Sequence, residues 1–217
     1  MLVAVADGRL EDEGRAEGAA ESIEALTLAA KRGDARAQCE LAKRFASGDG
    51  AFRDTVRAAF WYLRAAAAGC TEAEALLGGC FYLGVGVKQD YEQAVHYFRC
   101  AADKGHVPAQ SLLSWCLWTG QGVAVDVKQA VHWCTTAAEA GHAEAMYNLG
   151  AAYESGDGVA RDLARAKEWY SRASRAGDAD AAEALTRLAE DRTSRRSKHR
   201  APGTRKPHDA SPRPRVV

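Results

Sequence analysis

The chain has 217 residues, with 29 basic and 29 acidic side chains, so its formal net charge is zero. Hydrophobic residues make up 47% of the chain and charged residues 27%, which is typical of a folded globular protein rather than a disordered or membrane-spanning one. The balanced charge excludes a uniformly basic nucleic-acid binder. By count, 46 residues are alanine, the strongest helix former, which favours closely packed helices.

The first 18 residues are acidic and contain glycine, and we expect them to form a flexible arm. Their six-residue apolar run lacks the basic leader and the length of a signal peptide, so we expect none. No run in the chain reaches the roughly 18 apolar residues that a membrane span needs. These features predict a cytoplasmic protein that does not bind membranes and whose cysteines are reduced.

From residue 33 to residue 177 the sequence repeats every 36 residues without an insertion, which predicts four repeats at 33–68, 69–104, 105–140 and 141–177. The repeating positions that we assign to the structural framework are Gly69, Gly105 and Gly141; Gly84, Gly120 and Gly156; Asp90, Asp126 and Asp162; and Trp61, Trp133 and Trp169. A period of this length indicates stacked helical units, because a single unit cannot bury its own apolar face.

Each repeat is predicted to fold as two helices, A and B. In the fourth repeat, apolar residues at helical spacing predict helix A over about 143–155, ended by Gly156. Asp162 is the predicted N-cap of helix B, which runs to about Ala173 before Gly177 ends it.

Three pairs of residues fit the capping-box pattern, in which an N-cap side chain and a side chain three residues later cap each other's backbone amides. They are Asp90 with Gln93, Asp126 with Gln129, and Thr71 with Glu74. The first two pairs are predicted to start B helices, and the third is predicted to start the A helix of repeat two.

Both ends of the array are predicted to carry capping helices, at 19–32 and at 178–191. Beyond them, residues 192–217 have no apolar periodicity and contain nine basic residues and one Asp, which predicts a disordered basic tail. The remaining chain carries the compensating negative charge. The run from Arg195 to Arg200 fits a nuclear import signal, a contact with nucleic acid or another anionic partner, or a solvated tail that only aids solubility.

The pattern of repeat four consists of Ala145, Leu149, Gly150, Tyr153, Gly156, Gly158, Val159, Asp162, Ala166, Trp169, Ala173 and Gly177. This pattern resembles the Sel-one-like repeat (SLR) family, a relative of the tetratricopeptide repeat. Repeat one departs from it, with Ala42, Phe45 and Ala51 in place of Gly, Tyr and Val. The resemblance implies an all-α solenoid with a right-handed superhelix. It also implies a monomeric, non-catalytic scaffold or adaptor for a protein or peptide partner, without cofactor or metal.

By the same resemblance, certain positions of the A helices face the concave side of the solenoid. The partner-binding candidates there are Lys43, Tyr82, Leu83, Trp115, Trp118, Tyr147 and Glu154. Trp115 and Trp118 lie three residues apart on one helical face and suit anchors for a partner peptide. An alternative is that the two indoles only pack between adjacent A helices.

Other functions have weaker support. His96 with His132, and His106 with His142, share registers and could pair around a metal, but duplication of repeats two and three accounts for both pairs. The Gly-x-Gly turns lack the strand and the Lys-Ser/Thr of a phosphate loop. An enzyme such as a hydrolase would need a nucleophile and a base, and no convincing pair recurs. A nucleic-acid-associated or anion-associated factor acting through the tail is the main alternative function.

Overall fold

A computed structural model describes residues 22–50 and 52–199, and these residues form ten helices and no strand. The helices are α1 (Ile23–Lys31), α2 (Ala35–Ser47), α3 (Thr55–Ala67), α4 (Thr71–Leu83), α5 (Tyr91–Asp103), α6 (Val107–Thr119), α7 (Val127–Glu139), α8 (Ala143–Ser155), α9 (Leu163–Arg175) and α10 (Ala179–His199). The A helices are α2, α4, α6 and α8, and the B helices are α3, α5, α7 and α9. Each A helix packs on the B helix that follows it, and each B helix packs on the next A-type helix. The predicted all-α solenoid is confirmed.

Aspartates occupy the N-cap positions of the four B helices and accept amide hydrogens of the first turn; they are Asp54, Asp90, Asp126 and Asp162. The backbone amide of each aspartate donates across the pair to a carbonyl near the end of helix A, at 2.8–3.0 Å; the acceptors are Phe45, Phe81, Leu117 and Tyr153. The reciprocal half of the capping boxes predicted with Gln93 and Gln129 is therefore wrong, because the amide that would donate to glutamine is already used. Gln129 instead donates to the Asp126 carboxylate at 2.7 Å.

The A-type helices begin differently, at a register that holds Asp34, Cys70, His106, His142 and Asp178. The capping box predicted for Thr71 and Glu74 is wrong, because α4 begins at Thr71 and leaves Cys70 as an N-cap without a side-chain hydrogen bond. Glu74 is buried and pairs with the Lys104 ammonium at 2.6 Å. Its carboxylate thus stabilises the contact between α4 and the end of α5 within repeat two, rather than the helix start.

The two histidine registers have separate roles. His106 and His142 cap α6 and α8, where each Nδ1 accepts a backbone amide, from Ala109 at 3.2 Å and from Ala145 at 3.3 Å. An accepting Nδ1 requires the neutral imidazole, and burial favours the same form by lowering the pKa of His106. His96 and His132 lie exposed on the B helices.

The core follows the repeat registers. The leucine at the centre of each A helix is fully buried, and these residues are Leu41, Leu77, Leu113 and Leu149. Alanines of both helices are buried around them, because small side chains let paired helices approach closely. The larger rings, including Trp61, fill the space between pairs.

Within a pair, side-chain size on one helix is matched to size on the other. A Cβ atom at Gly78 would lie 2.7 Å from the Phe98 ring, and one at Gly150 would lie 2.8 Å from the Tyr170 ring. In repeat three the glycine register holds Ser114, and the facing residue is the smaller Cys134. This departure from the family pattern in repeat three therefore preserves close packing.

Each Gly-x-Gly turn performs two tasks. The first glycine ends helix A in the left-handed region, as Gly120 does with φ of 73°. The second glycine lies against the preceding repeat, where a Cβ at Gly122 would be 2.1 Å from the Tyr91 carbonyl oxygen and one at Gly86 would be 2.0 Å from that of Thr55. Only glycine permits this approach of one repeat's turn to the previous B helix.

The helices at the two ends differ from the predictions in length. The predicted N-terminal cap at 19–32 corresponds to α1, which is helical over nine residues. The predicted C-terminal cap at 178–191 corresponds to α10, but α10 continues to His199, so the predicted disorder from residue 192 is wrong for the first eight residues. No glycine or proline interrupts that stretch. The predicted arm at 1–18 and residues 200–217 lie outside the described residues. Among the described helices, none is long and apolar enough to cross a membrane.

Substitution of the second turn glycine tests the stacking contact. Gly122→Ala and Gly50→Ala place a methyl group at nearly the same φ, +70° and +71°, so both incur left-handed strain of about 1 kcal/mol. At Gly50 the nearest atom is 3.5 Å away on the Ile23 side chain, whereas at Gly122 backbone must move. We expect urea unfolding to show a loss of about 3 kcal/mol or more for Gly122→Ala. Equal losses for the two variants would contradict the stacking role.

The N-cap role of His106 predicts a pH dependence. Its folded-state pKa is below the unfolded value of about 6.5, so its contribution is complete above pH 6.5 and is lost as the pH falls through the folded pKa. His106→Asn keeps a cap that does not titrate. We therefore expect the free energy of unfolding of His106→Asn to exceed that of the wild type increasingly as the pH falls from 7.5 to 5. The exposed His96→Asn serves as the control, and a wild-type-like profile for His106→Asn would rule out the cap.

Candidate functional site

Two neighbouring A helices present apolar residues at matching registers on one face. The positions are Leu76, Gly79 and Leu83 in α4, and Leu112, Trp115 and Thr119 in α6. Residues three, four or seven apart lie on the same side of a helix. Because the two sets are separated by one repeat, they lie side by side in the layer of A helices.

Four of these side chains are both apolar and exposed, and we call Leu76, Leu83, Leu112 and Trp115 the apolar strip. Their exposed fractions are 37%, 68%, 40% and 48%. A Cβ atom at Gly79 would meet nothing within 4 Å, and Gly79 holds the register of Trp115 one repeat earlier. Open space therefore lies over Gly79, next to the Trp115 indole in the neighbouring helix.

The same registers become polar in α2, at one end of the strip, where Glu40 and Lys43 replace the apolar residues. The Lys43 ammonium lies 2.6 Å from a carboxylate oxygen of Glu72 in α4. In α8, at the other end, the registers hold Asn148 and Ala151. The apolar strip is thus confined to repeats two and three.

The register of Tyr82 and Trp118 lies at the joint with the following repeat. The Tyr82 hydroxyl donates to Gln121 Oε1 in the next turn. Trp118 is half-buried and packs against the apolar residues of repeats three and four. It therefore packs within the array, the alternative to partner binding considered for the two indoles. Tyr82 and Trp118 hold successive repeats together, and Trp115 is the more exposed indole.

Two further candidates lie near the C-terminal end. Glu154 is half-buried and accepts hydrogen bonds from the Tyr170 hydroxyl at 2.8 Å and from Arg187 at 2.7 Å. Tyr147 is half-buried, with its ring centroid 5.5 Å from that of Tyr170. Glu154 thereby connects α8, α9 and α10, and it is separated from the apolar strip along the array.

Leu76 and Leu112 were not among the residues predicted to bind a partner. Both hold a register at which repeat one has Glu40 and repeat four has Asn148. The fully buried leucine register is apolar in all four repeats, whereas the register of Leu76 and Leu112 is apolar in only two, a contrast that favours exposure. That contrast was available in the sequence.

The six cysteines are free. Burial raises the pKa of the Cys39 and Cys134 thiols to about 12 and that of Cys116 to about 11. These three thiols are therefore protonated at neutral pH and are weak nucleophiles. In the part of the chain that the structure describes, no group of three or more His, Cys, Asp or Glu side chains could hold a metal ion.

Comparisons with known proteins agree with the all-α solenoid described above. The Sel1 repeat model matches residues 35–70, 71–106, 107–142 and 143–178. A protective antigen of uropathogenic Escherichia coli strains, which displays an SLR fold, is 41% identical, with 75% of this chain and 35% of that chain covered and a TM-score of 0.73. A Sel1 repeat protein from Oxalobacter formigenes is 30% identical, with 75% and 65% covered and a TM-score of 0.70. A comparison with curated proteins found no match.

Helicobacter pylori cysteine rich protein B shares the fold, at 21% identity and a TM-score of 0.50. The chain spans about a third of the length of the E. coli relative and about two thirds of that of the Oxalobacter relative. Proteins built from Sel1 repeats are generally protein-interaction scaffolds and are generally non-catalytic. Because four matched repeats cover most of its length, the chain belongs to the Sel1 repeat family.

Proposed function

We propose that this chain is a non-catalytic scaffold whose protein or peptide partner binds the apolar strip of the A helices. The observation that carries the proposal is the exposure of Trp115 beside Leu112, with open space above Gly79. Trp115 is half-exposed, whereas Leu113 and Leu117 of the same helix are buried in the core. Its burial by a partner would remove a large apolar surface from water.

The shape of the strip suggests how a partner is held. An apolar side chain of the partner can pack against the Trp115 indole while its backbone passes over Gly79, where no side chain intervenes. Tryptophan is enriched among residues that dominate binding energy. The charged residues of α2, including Lys43 and Glu40, form a polar rim that would exclude partners with a badly placed charge.

The proposed mechanism depends on rigidity. The Tyr82 hydroxyl bond to Gln121, and the packing of Trp118 against the next repeat, fix neighbouring A helices relative to one another. A partner would therefore meet a surface that is already ordered, and binding would incur little loss of conformational entropy.

Replacement of Trp115 tests the proposal. We expect Trp115→Ala to reduce recovery of partners by affinity purification from the native cell at least tenfold, because hot-spot truncation costs about 2 kcal/mol or more. The free energy of unfolding should change little, since the indole is half-exposed. Leu163→Ala, at a site 37% exposed on α9, is the control and should retain the partners.

Trp118→Ala provides a second comparison, because Trp118 packs within the array and its loss should lower stability. Unchanged partner recovery with folded Trp115→Ala would exclude the apolar strip as the binding surface. Equal loss with Leu163→Ala would show that capture depends on general surface hydrophobicity.

A further inference from the structure

A second apolar surface lies on the opposite layer, on α3 and the turn directly before it. Four of its positions hold exposed apolar side chains: Phe52, Val56, Phe60 and Leu63, with exposed fractions of 97%, 65%, 51% and 46%. In repeat two the same registers hold Lys88, Glu92, His96 and Arg99, and in repeat three they hold Ala124, Lys128, His132 and Thr135. The solenoid itself therefore does not require apolar residues at these positions. Their concentration in repeat one is typical of an interaction surface.

This surface borders a groove between α1 and α3, which we call the N-terminal groove. Its volume is about 1100 Å³, and Leu28, Phe52 and Phe60 line it together with the rings of Phe45 and Trp61. Leu28 is 53% exposed, so both walls contribute open apolar surface. A groove with aromatic walls can take a short apolar segment, whose side chains replace water there.

The charges around the groove favour an acidic occupant. Lys31 and Arg53 line it and make no ion pair among the described residues, whereas Arg57 pairs with the Asp54 carboxylate at 3.2 Å. Glu24 is the remaining charged residue of the lining. The lining therefore has a net charge of +1. A second copy of this surface would bring the same positive sign to the interface, so self-association is disfavoured.

The chain itself contains a segment of complementary chemistry directly before α1. Residues 2–6 are Leu-Val-Ala-Val-Ala, and residues 7–21 contain six acidic and two basic side chains, a net charge of −4. Ser22, the N-cap of α1, directly precedes the groove residues Ile23 and Glu24. The segment is therefore attached to one wall of the groove.

Because residues 7–22 join residues 2–6 to α1, even a weak contact with the groove would be occupied much of the time. The 16 residues 7–22 would span about 20 Å on average as a flexible chain, which brings residues 2–6 within reach of both groove walls. Attachment of this length gives an effective concentration of about millimolar. A separate peptide of the same chemistry would need to be supplied at that concentration to compete.

We propose that the apolar segment at residues 2–6 of this chain docks in the N-terminal groove, with the acidic residues after it facing Lys31 and Arg53. The proposal is independent of the apolar strip on the A helices, since the two surfaces lie on opposite layers. A contact of this kind would cover Phe52 and Phe60, the part of the apolar surface that lines the groove, from within the same chain.

Photo-crosslinking of the full chain tests the proposal. In Phe60→p-benzoylphenylalanine the crosslinker keeps an aromatic ring in the groove. After irradiation and trypsin digestion, we expect a link from position 60 to the fragment that ends at Arg9, formed within one molecule. The matched control is His132→p-benzoylphenylalanine, at the same register on α7, which should give at least tenfold less of that link.

A second variant separates docking from chance proximity. Val3→Asp combined with Val5→Asp should reduce the link from position 60 at least tenfold, because charged side chains oppose burial in an apolar groove. Urea unfolding of this variant should keep the wild-type slope, which shows that the array is intact. The proposal is overturned by a link between two molecules, by equal yields at positions 60 and 132, by no link to the N-terminal fragment, or by an unchanged yield in the Asp variant.

Discussion

The close approach of the second turn glycine to the preceding B helix, at Gly86 and Gly122, is the contact on which the stacking of repeats depends. At Gly86 and Gly122 the turn lies so near a backbone carbonyl that no side chain fits between them. The aspartate amide that donates to helix A fixes the geometry inside each pair, and the glycine contact fixes the geometry between pairs. Together they hold the register of every later layer.

This constraint relaxes at the first turn. Gly50 faces the Ile23 side chain at 3.5 Å rather than a backbone carbonyl, and α1 has nine residues where the internal helices have 13. The N-terminal groove lies at this junction. Phe60 of α3 and Phe52 just before it line the groove there, so the least tightly stacked junction coincides with the groove in which we propose that residues 2–6 dock.

Close packing inside each pair also explains which surfaces are available for binding. Gly150 accommodates Tyr170 and Ser114 accommodates Cys134, so the core is filled without the side chains on the outer faces of either layer. Residues such as Trp115 and Phe60 are then unconstrained by the core. At such positions one repeat can carry a charged residue and another an aromatic one, although their frameworks are the same. The exposed surface therefore differs from repeat to repeat.

The repeat, the boundaries of the helices inside the four repeats to within about two residues, and the aspartate N-caps were predictable from the sequence, because period, glycine and capping signals are local. The sequence predicted Trp115 and Trp118 as a pair, but only the tertiary structure separated them, since packing against the next repeat covers Trp118 and leaves Trp115 exposed. It placed capping boxes at Asp90 and Asp126, but the fold used their amides across the helix pair. Whether a polar atom or an apolar ring meets water, a neighbouring helix or the next repeat depends on three-dimensional packing, and a 36-residue period does not encode it.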